Sequence, residues 1–248
     1  MSQLIEVGNS IQPLTNVAKL ATLVNQLQDR AFGVPGLAVF YSHPGYGKTF
    51  GAIYCASKFD VIHISMQADW TKKTLLSRLL GELSVSAHKT IPDMALQACE
   101  ALALNGRTLV VDEADYALNR GVIELIRDLH DGSDTPVVMI GNESFPQKLK
   151  KFPVIDSRVL SYVAAQPASL KDARLLATIY AAGVEIRDDL LGSIIERNTG
   201  NPRLMVVNIA QVKEEAIKLG LKSMGADEWG GIEFMANEAP APRRGLKW

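Results

Sequence analysis

The stretch "YSHPGYGKTF" (residues 41–50) is the part of the sequence from which the fold can be read. Its Gly47, Lys48 and Thr49 supply the end of the pattern Gly-x-x-x-x-Gly-Lys-Ser/Thr, a loop whose backbone N–H groups cradle phosphates. The first glycine of that pattern falls at position 42, where the chain has Ser42. The position needs a tight turn without a large side chain, and serine allows one. The run "GLAVFY" (36–41) before the loop reads as a short buried strand, and a helix begins near Lys48. Strand, glycine loop and helix in that order argue against a coincidental Gly-Lys-Thr turn.

The same alternation continues outward. "VIHIS" (61–65), "TLVVDEAD" (108–115), "PVVMIGNE" (136–143) and "RVLSYV" (158–163) read as further strands. Between them, "TKKTLLSRLLGEL" (71–83), "IPDMALQACEALALNG" (91–106) and "GVIELIRDLHDG" (121–132) have helical spacing and helix stop signals. Continuous apolar strands separated by helices predict an α/β fold with a five-stranded parallel sheet covered on both faces. Such a sheet binds ligands at the carboxyl ends of its strands. The glycine loop, the acids after "TLVV" and Asn142 after "VVMIG" all fall there.

After about residue 166 the pattern becomes three glycine-stopped helices with no strand needed. The expected organisation is an α/β core over 1–166, a helical lid over 167–220 and a flexible tail over 221–248. The 248-residue chain is 47% hydrophobic and 21% charged with a formal net charge of −1, so any nucleic-acid surface must be a local groove. Cys55 and Cys99 sit in apolar helical runs and read as buried thiols, not a disulfide framework or metal site. No signal peptide or membrane span is visible, so a cytoplasmic protein without membrane partners is expected.

A triphosphate needs inward-facing amides, a helix N-terminus, a lysine and a hydroxyl on magnesium. His43, Pro44, Gly45, Tyr46, Gly47, Lys48, Thr49 and Phe50 form the expected nucleotide-contacting set. "LVVDE" adds Asp112, which with Thr49 would hold Mg2+, and Glu113, which would polarise the attacking water. A solvated acidic turn is the bland alternative, and it suits Asp115 better than two acids that cap an apolar run.

With these motifs about 60 residues apart, the sequence resembles the AAA+ ATPases over about residues 10–220. The resemblance implies ATP and Mg2+ as cofactors and gives roles to three more residues. Asn142 looks like the polar sensor that places the water. Arg158 in "FPVIDSRV" looks like an arginine finger reaching a neighbouring subunit, though a surface ion pair explains it as well. Arg203 in "TGNPRLM" looks like the lid arginine. A trans-acting arginine implies self-assembly through heterologous contacts, as rings or helical filaments.

Within that group the segment "ADWTKKTLLSRLLGELS" is most similar to the DNA-transposition ATPases of the phage Mu B type. That likeness implies non-specific binding to double-stranded DNA and delivery of the DNA to a transposase. The chain departs from Mu B in beginning its core almost at once, without room for an N-terminal helix-turn-helix domain. Thr71, Lys72, Lys73 and Arg78, beside Gln67 and Trp70, are the candidate DNA contacts. A solvated helix start with Trp70 as a packing staple remains the alternative. Lys148, Lys150 and Lys151 form a second basic cluster that suits DNA or a subunit interface; Arg243, Arg244 and Lys247 suit a solubilising tail, with contact to DNA or the transposase as the alternative. A helicase-loader ATPase on single-stranded DNA, or a nucleotide-switched scaffold without DNA, are the competing functions.

Overall fold

Five short apolar strands form one parallel sheet because each of the first four is followed by a helix that returns the chain to the sheet's starting edge. The computed structural model describes residues 13–31 and 33–235, without the side chains of residues 119 and 120. The chain divides into two compact units, with the boundary between Gln166 and Pro167.

In the first unit, helix α1 (Thr15–Gln28) precedes β1 (Leu37–Tyr41), α2 (Lys48–Phe59), β2 (Ile62–Ser65), α3 (Lys72–Glu82), α4 (Ile91–Asn105) and β3 (Leu109–Asp112). A 3-10 helix (Ala114–Gly121) then leads into α5 (Val122–Ser133), β4 (Val137–Gly141), α6 (Phe145–Leu149), α7 (Pro153–Asp156) and β5 (Val159–Ala164). The strand order is β2-β3-β4-β1-β5, all parallel. This is the expected α/β sheet, and its interior strand β1, between β4 and β5, carries the glycine loop.

Alternation along the strands feeds two cores. Ala38, Phe40, Val110, Val138 and Ile140 pack with Leu20, Leu23, Val24 and Leu27 of α1 and with Ala52 and Cys55 of α2. Leu37, Val39, Ile64, Val111 and Met139 pack on the other face with Leu75, Leu79, Met94, Leu102, Ile126 and Leu129 from α3, α4 and α5. Helix α1 was not expected, although its stripe Val17, Leu20, Leu23, Val24, Leu27 has the spacing of a buried helix face. It lacks the other usual signals, since Leu14 at its start makes no side-chain cap. Cys55 is fully buried and burial pushes its thiol up to about 11, whereas Cys99 is only half-buried.

The second unit contains α8 (Leu170–Tyr180), β6 (Glu185–Ile186), α9 (Asp188–Arg197), α10 (Pro202–Lys218), β7 (Ser223–Met224) and α11 (Ala226–Trp229). Helix α8 opens with a capping box: Ser169 Oγ accepts from the Asp172 N–H at 3.3 Å, and Asp172 Oδ2 accepts from the Ser169 N–H at 2.8 Å. Two expectations are corrected here. A two-residue parallel pair, Glu185↔Ser223 and Ile186↔Met224, exists where no strand was expected. Residues 221–235 are packed structure, not tail: Trp229 is buried and stacks on Phe234, and the Met235 N–H donates to Asn208 Oδ1 at 2.9 Å. Strands of two residues leave no period to read, which is why the sequence hid them. Residues 236–248, with Arg243, Arg244 and Lys247, lie outside the described residues.

Leu20 has no exposed surface and reaches Gly51 of α2. Leu20→Ala should therefore lower stability by about 2–5 kcal/mol in a urea melt, with an unchanged m-value.

Candidate nucleotide site at the carboxyl edge of the sheet

Register brings the motifs together. Tyr41 pairs with Gly141, and Ser65 pairs with Asp112, so the glycine loop, the acids and Asn142 leave the same edge of the sheet. The Ser42 N–H donates to Gly141 O at 3.4 Å, and His43 Nε2 meets Glu143 Oε2 at 2.9 Å across the mouth. Gly45 and Gly47 hold φ values of 88° and 81°, a left-handed conformation that excludes ordinary side chains and turns loop amides inward. Helix α2 starts directly after Gly47.

Ser42 does more than tolerate the turn. It is buried, and Lys48 Nζ donates to Ser42 O at 3.0 Å, to Ser42 Oγ at 3.3 Å and to His43 O at 3.1 Å. The residue at the pattern's missing glycine thus steers the loop lysine. Asn16 of α1, which carried no motif, pins the loop from below. Its Nδ2 donates to Tyr46 O at 3.0 Å and to Gln166 O at 2.8 Å, while its Oδ1 accepts from the Gln166 N–H at 2.8 Å. Tyr46 also lies near His43, with ring centroids 6.1 Å apart; Phe50 is exposed on α2.

Asp112 is 1% exposed. Its Oδ1 accepts from the Glu113 N–H at 2.9 Å, and its Oδ2 is buried without a hydrogen-bond partner. Burial pushes the carboxyl up, but His63, Thr49 and the Glu113 N–H outweigh it and hold the group below its ordinary value. A buried carboxylate kept ionised beside the Thr49 hydroxyl fits a hard cation. Among the described residues no cluster of three His, Cys, Asp or Glu side chains could hold a metal unaided. Thr49, Asp112 and phosphate oxygens together suit Mg2+, which keeps few protein ligands.

Glu113 is exposed at this edge with φ 54° and ψ 37°. A non-glycine residue in that region is strained by about 1–3 kcal/mol, and such strain concentrates at functional sites. Asp115 is no mere solvated acid, correcting the bland reading of it. Its Oδ1 accepts from the Asn142 N–H at 2.6 Å and so ties the end of β4 to the segment after β3. Gly141 makes this approach possible, because a Cβ there would lie 2.6 Å from Asp115 Oδ1 and 2.5 Å from Phe145 Cδ1. Asn142 Oδ1 accepts from the Ser144 N–H and hydroxyl at 3.0 and 2.8 Å, which turns the amide Nδ2 to its other side.

Among the described residues, the side chains of the other candidates make no hydrogen bond or ion pair with this cluster. Arg158 is at the opposite edge: Val159 pairs with Leu37 and Ala164 with Tyr41, so a strand length of about 16 Å separates it from its own glycine loop. Its Nε donates to Asp131 Oδ1 at 2.7 Å and its Nη1 to Val154 O at 2.6 Å. Arg203 is in the second unit, exposed in the first turn of α10, with its N–H held by Asn201 Oδ1 at 3.1 Å. Thr71 caps α3, accepting from the Thr74 N–H at 3.3 Å, so its hydroxyl has a structural task. Trp70 packs on the core and donates to Gln67 Oε1 at 3.2 Å, as a staple does. Lys72 is half-buried; Lys73 and Arg78 are exposed on α3, as are Lys148, Lys150 and Lys151 near α6.

Residues 33–149 match the family model described as an AAA domain. The Orc1 protein of Aeropyrum pernix, solved in complex with DNA, is 18% identical with a TM-score of 0.61, over 91% of this chain and 66% of that one. Cdc6p of Pyrobaculum aerophilum is 14% identical with a TM-score of 0.60, over 87% of this chain and 66% of its own. The Thermotoga maritima RuvB Holliday junction branch migration motor is 20% identical with a TM-score of 0.58, over 86% and 66%. The fold is that of an AAA+ P-loop domain. At these identities the likeness concerns the fold alone, and the chain spans 66% of the length of each of the three. No curated protein sequence matches the chain. Among the described residues, no helix is long and apolar enough to cross a membrane.

Gly141→Ala should cost about 1–3 kcal/mol in a thermal melt, because neither the buried Phe145 ring nor Asp115 can retreat without losing its contact.

Proposed function

We propose that this chain is an ATPase that binds double-stranded DNA without sequence preference when loaded with ATP, assembles head to tail, and delivers the DNA to a transposase. The observation that carries the ATPase part is the buried, ionised Asp112 beside Thr49, below a left-handed glycine loop. In this reading the loop amides and Lys48 hold the phosphates, Thr49 and Asp112 hold Mg2+, and Asn142 Nδ2 orients a water. Glu113 accepts the proton as that water attacks the γ-phosphorus, the bond from the γ-phosphorus to the β–γ bridging oxygen breaks, and ADP leaves with inorganic phosphate as the other product. Bound Mg2+ supplies positive charge to the phosphate oxygens. Arg158 cannot reach its own site along the sheet, so its part is played on a neighbouring copy; Arg203 keeps the lid-arginine role that the AAA+ resemblance implies.

Support for DNA is local. Lys72 and Lys73 occupy the first turn of α3 with no acidic residue there, two cations at the positive end of a helix. That placement is unfavourable by itself and is relieved by an anion such as a backbone phosphate. Helix α3 leaves the carboxyl end of β2, so these lysines lie on the nucleotide edge. The names of similar folds, one in complex with DNA and one a Holliday junction motor, point the same way. The transposase as partner rests on the likeness of residues 68–84 to the DNA-transposition ATPases.

Lys48→Ala should abolish nucleotide binding in equilibrium titrations. Glu113→Gln should keep binding, lower turnover by about 10²–10⁴-fold and trap a DNA-bound assembly; normal hydrolysis by that variant would remove Glu113 from its role. Arg158→Ala should lower turnover with nucleotide affinity nearly intact.

ATP-dependent binding to double- and single-stranded DNA across a salt series tests the partner. Lys73→Ala should reduce the slope of log affinity against log salt by about 1. Preference for single strands would favour a helicase loader, and no DNA binding would favour a scaffold.

A further inference from the structure

The polar atoms buried beneath the glycine loop include one that the motifs do not use. Alternation along β2 and β3 puts His63, Val110 and Asp112 on one face of the sheet: His63 pairs with Val110, Ser65 with Asp112, and Val110 packs in the core beside α2. On that face His63 Nε2 stands 3.9 Å from Asp112 Oδ2. Both atoms are buried, and neither has a hydrogen-bond partner. A hydrogen bond needs about 2.7–3.2 Å, so this is an approach that has stopped short of one.

Two unsatisfied buried polar atoms cost about 1–3 kcal/mol each, so their facing arrangement calls for an explanation. Packing does not give one, since an aliphatic side chain on an edge strand would fill the position without penalty. Direct ligation of Mg2+ by the ring is a poor alternative, because that cation takes oxygen ligands. The remaining role is orientation. A carboxylate that ligates a metal is itself held by a hydrogen bond, and such partners set the ligand's direction.

We propose that His63 is a positioning residue for Mg2+: its Nε2–H donates to Asp112 Oδ2 and fixes the carboxylate toward the cation shared with Thr49. The proposal rests on reading Asp112 as the Mg2+ ligand of a nucleotide site. It assigns no chemical step to His63, and the sequence signal for it is one polar residue at an alternate position in the apolar "VIHIS".

The test uses the full chain, a fluorescent ADP analogue and Mg2+ titrated from an EDTA baseline, with folding checked by thermal melt. His63→Leu should leave affinity in EDTA within about twofold and raise the Mg2+ concentration for half-maximal tightening by about ten- to a hundredfold. His63→Gln keeps an N–H donor and should restore most of the Mg2+ response. An unchanged Mg2+ midpoint in His63→Leu overturns the proposal. So does an equal loss of affinity in EDTA, which marks a structural role, or a failure of His63→Gln as complete as that of His63→Leu. If His63→Leu lacks a cooperative melt, His63→Ala is read by the same criteria. A wild-type protein whose nucleotide affinity ignores Mg2+ would sink the reading of Asp112 itself, and that outcome is distinguishable because no variant is needed to see it.

Discussion

A carboxylate taken out of water must be compensated where it sits, and Asp112 is almost wholly out of water. One oxygen is held by the next residue's amide, which requires the chain to turn sharply after β3, and Glu113 makes that turn in a left-handed conformation. The other oxygen lies 3.9 Å from His63 Nε2 of β2, and Thr49 of α2 also helps hold the carboxyl ionised. Strand β3, helix α2 and edge strand β2 are thereby fixed relative to a single charge. The strain at Glu113 and the unpartnered Oδ2 are costs the surrounding core must offset, and the fully buried strands on either side supply that stability.

The sheet's parallel order then determines what one copy can and cannot do. Every βα junction falls on one edge, so the loop lysine, the acids and Asn142 converge without any long-range design beyond strand order. Every αβ junction falls on the other edge, and Arg158 precedes β5 there, paired with Asp131. A guanidinium at that edge has no route to the phosphates of its own chain. In the proposed reading its contribution to hydrolysis is made to another molecule, through heterologous contacts.

The strands were legible because parallel strands buried on both faces are unbroken apolar runs, and the glycine loop because a Gly-Lys-Thr at a strand-helix junction has a specific backbone demand. What escaped notice depended on distance in sequence. Asn16 joins Tyr46 to Gln166, a residue 150 positions away, and no local period encodes such a bond. Asp115 reads in sequence as a solvated acid, because the Asn142 N–H that donates to it lies 27 positions on. Helix α1 was a different omission, since its apolar stripe was present in the sequence but no cap marked its start. The two-residue strands of the second unit have too few residues to show alternation, and the packed segment around Trp229 was hidden inside a stretch whose charges balance.

Ser42 acts on the loop lysine directly. At the position where the phosphate-loop pattern has glycine, its hydroxyl and carbonyl, with the His43 carbonyl, accept from Lys48 Nζ. These acceptors carry only partial charges, whereas a phosphate oxygen carries a formal negative charge and so attracts the ammonium more strongly. The lysine is therefore held extended along the loop by contacts weak enough to yield to phosphate. A glycine at 42 would keep the carbonyl but lose the hydroxyl, leaving the long side chain with more freedom to give up on binding. The departure from the pattern preorganises the lysine.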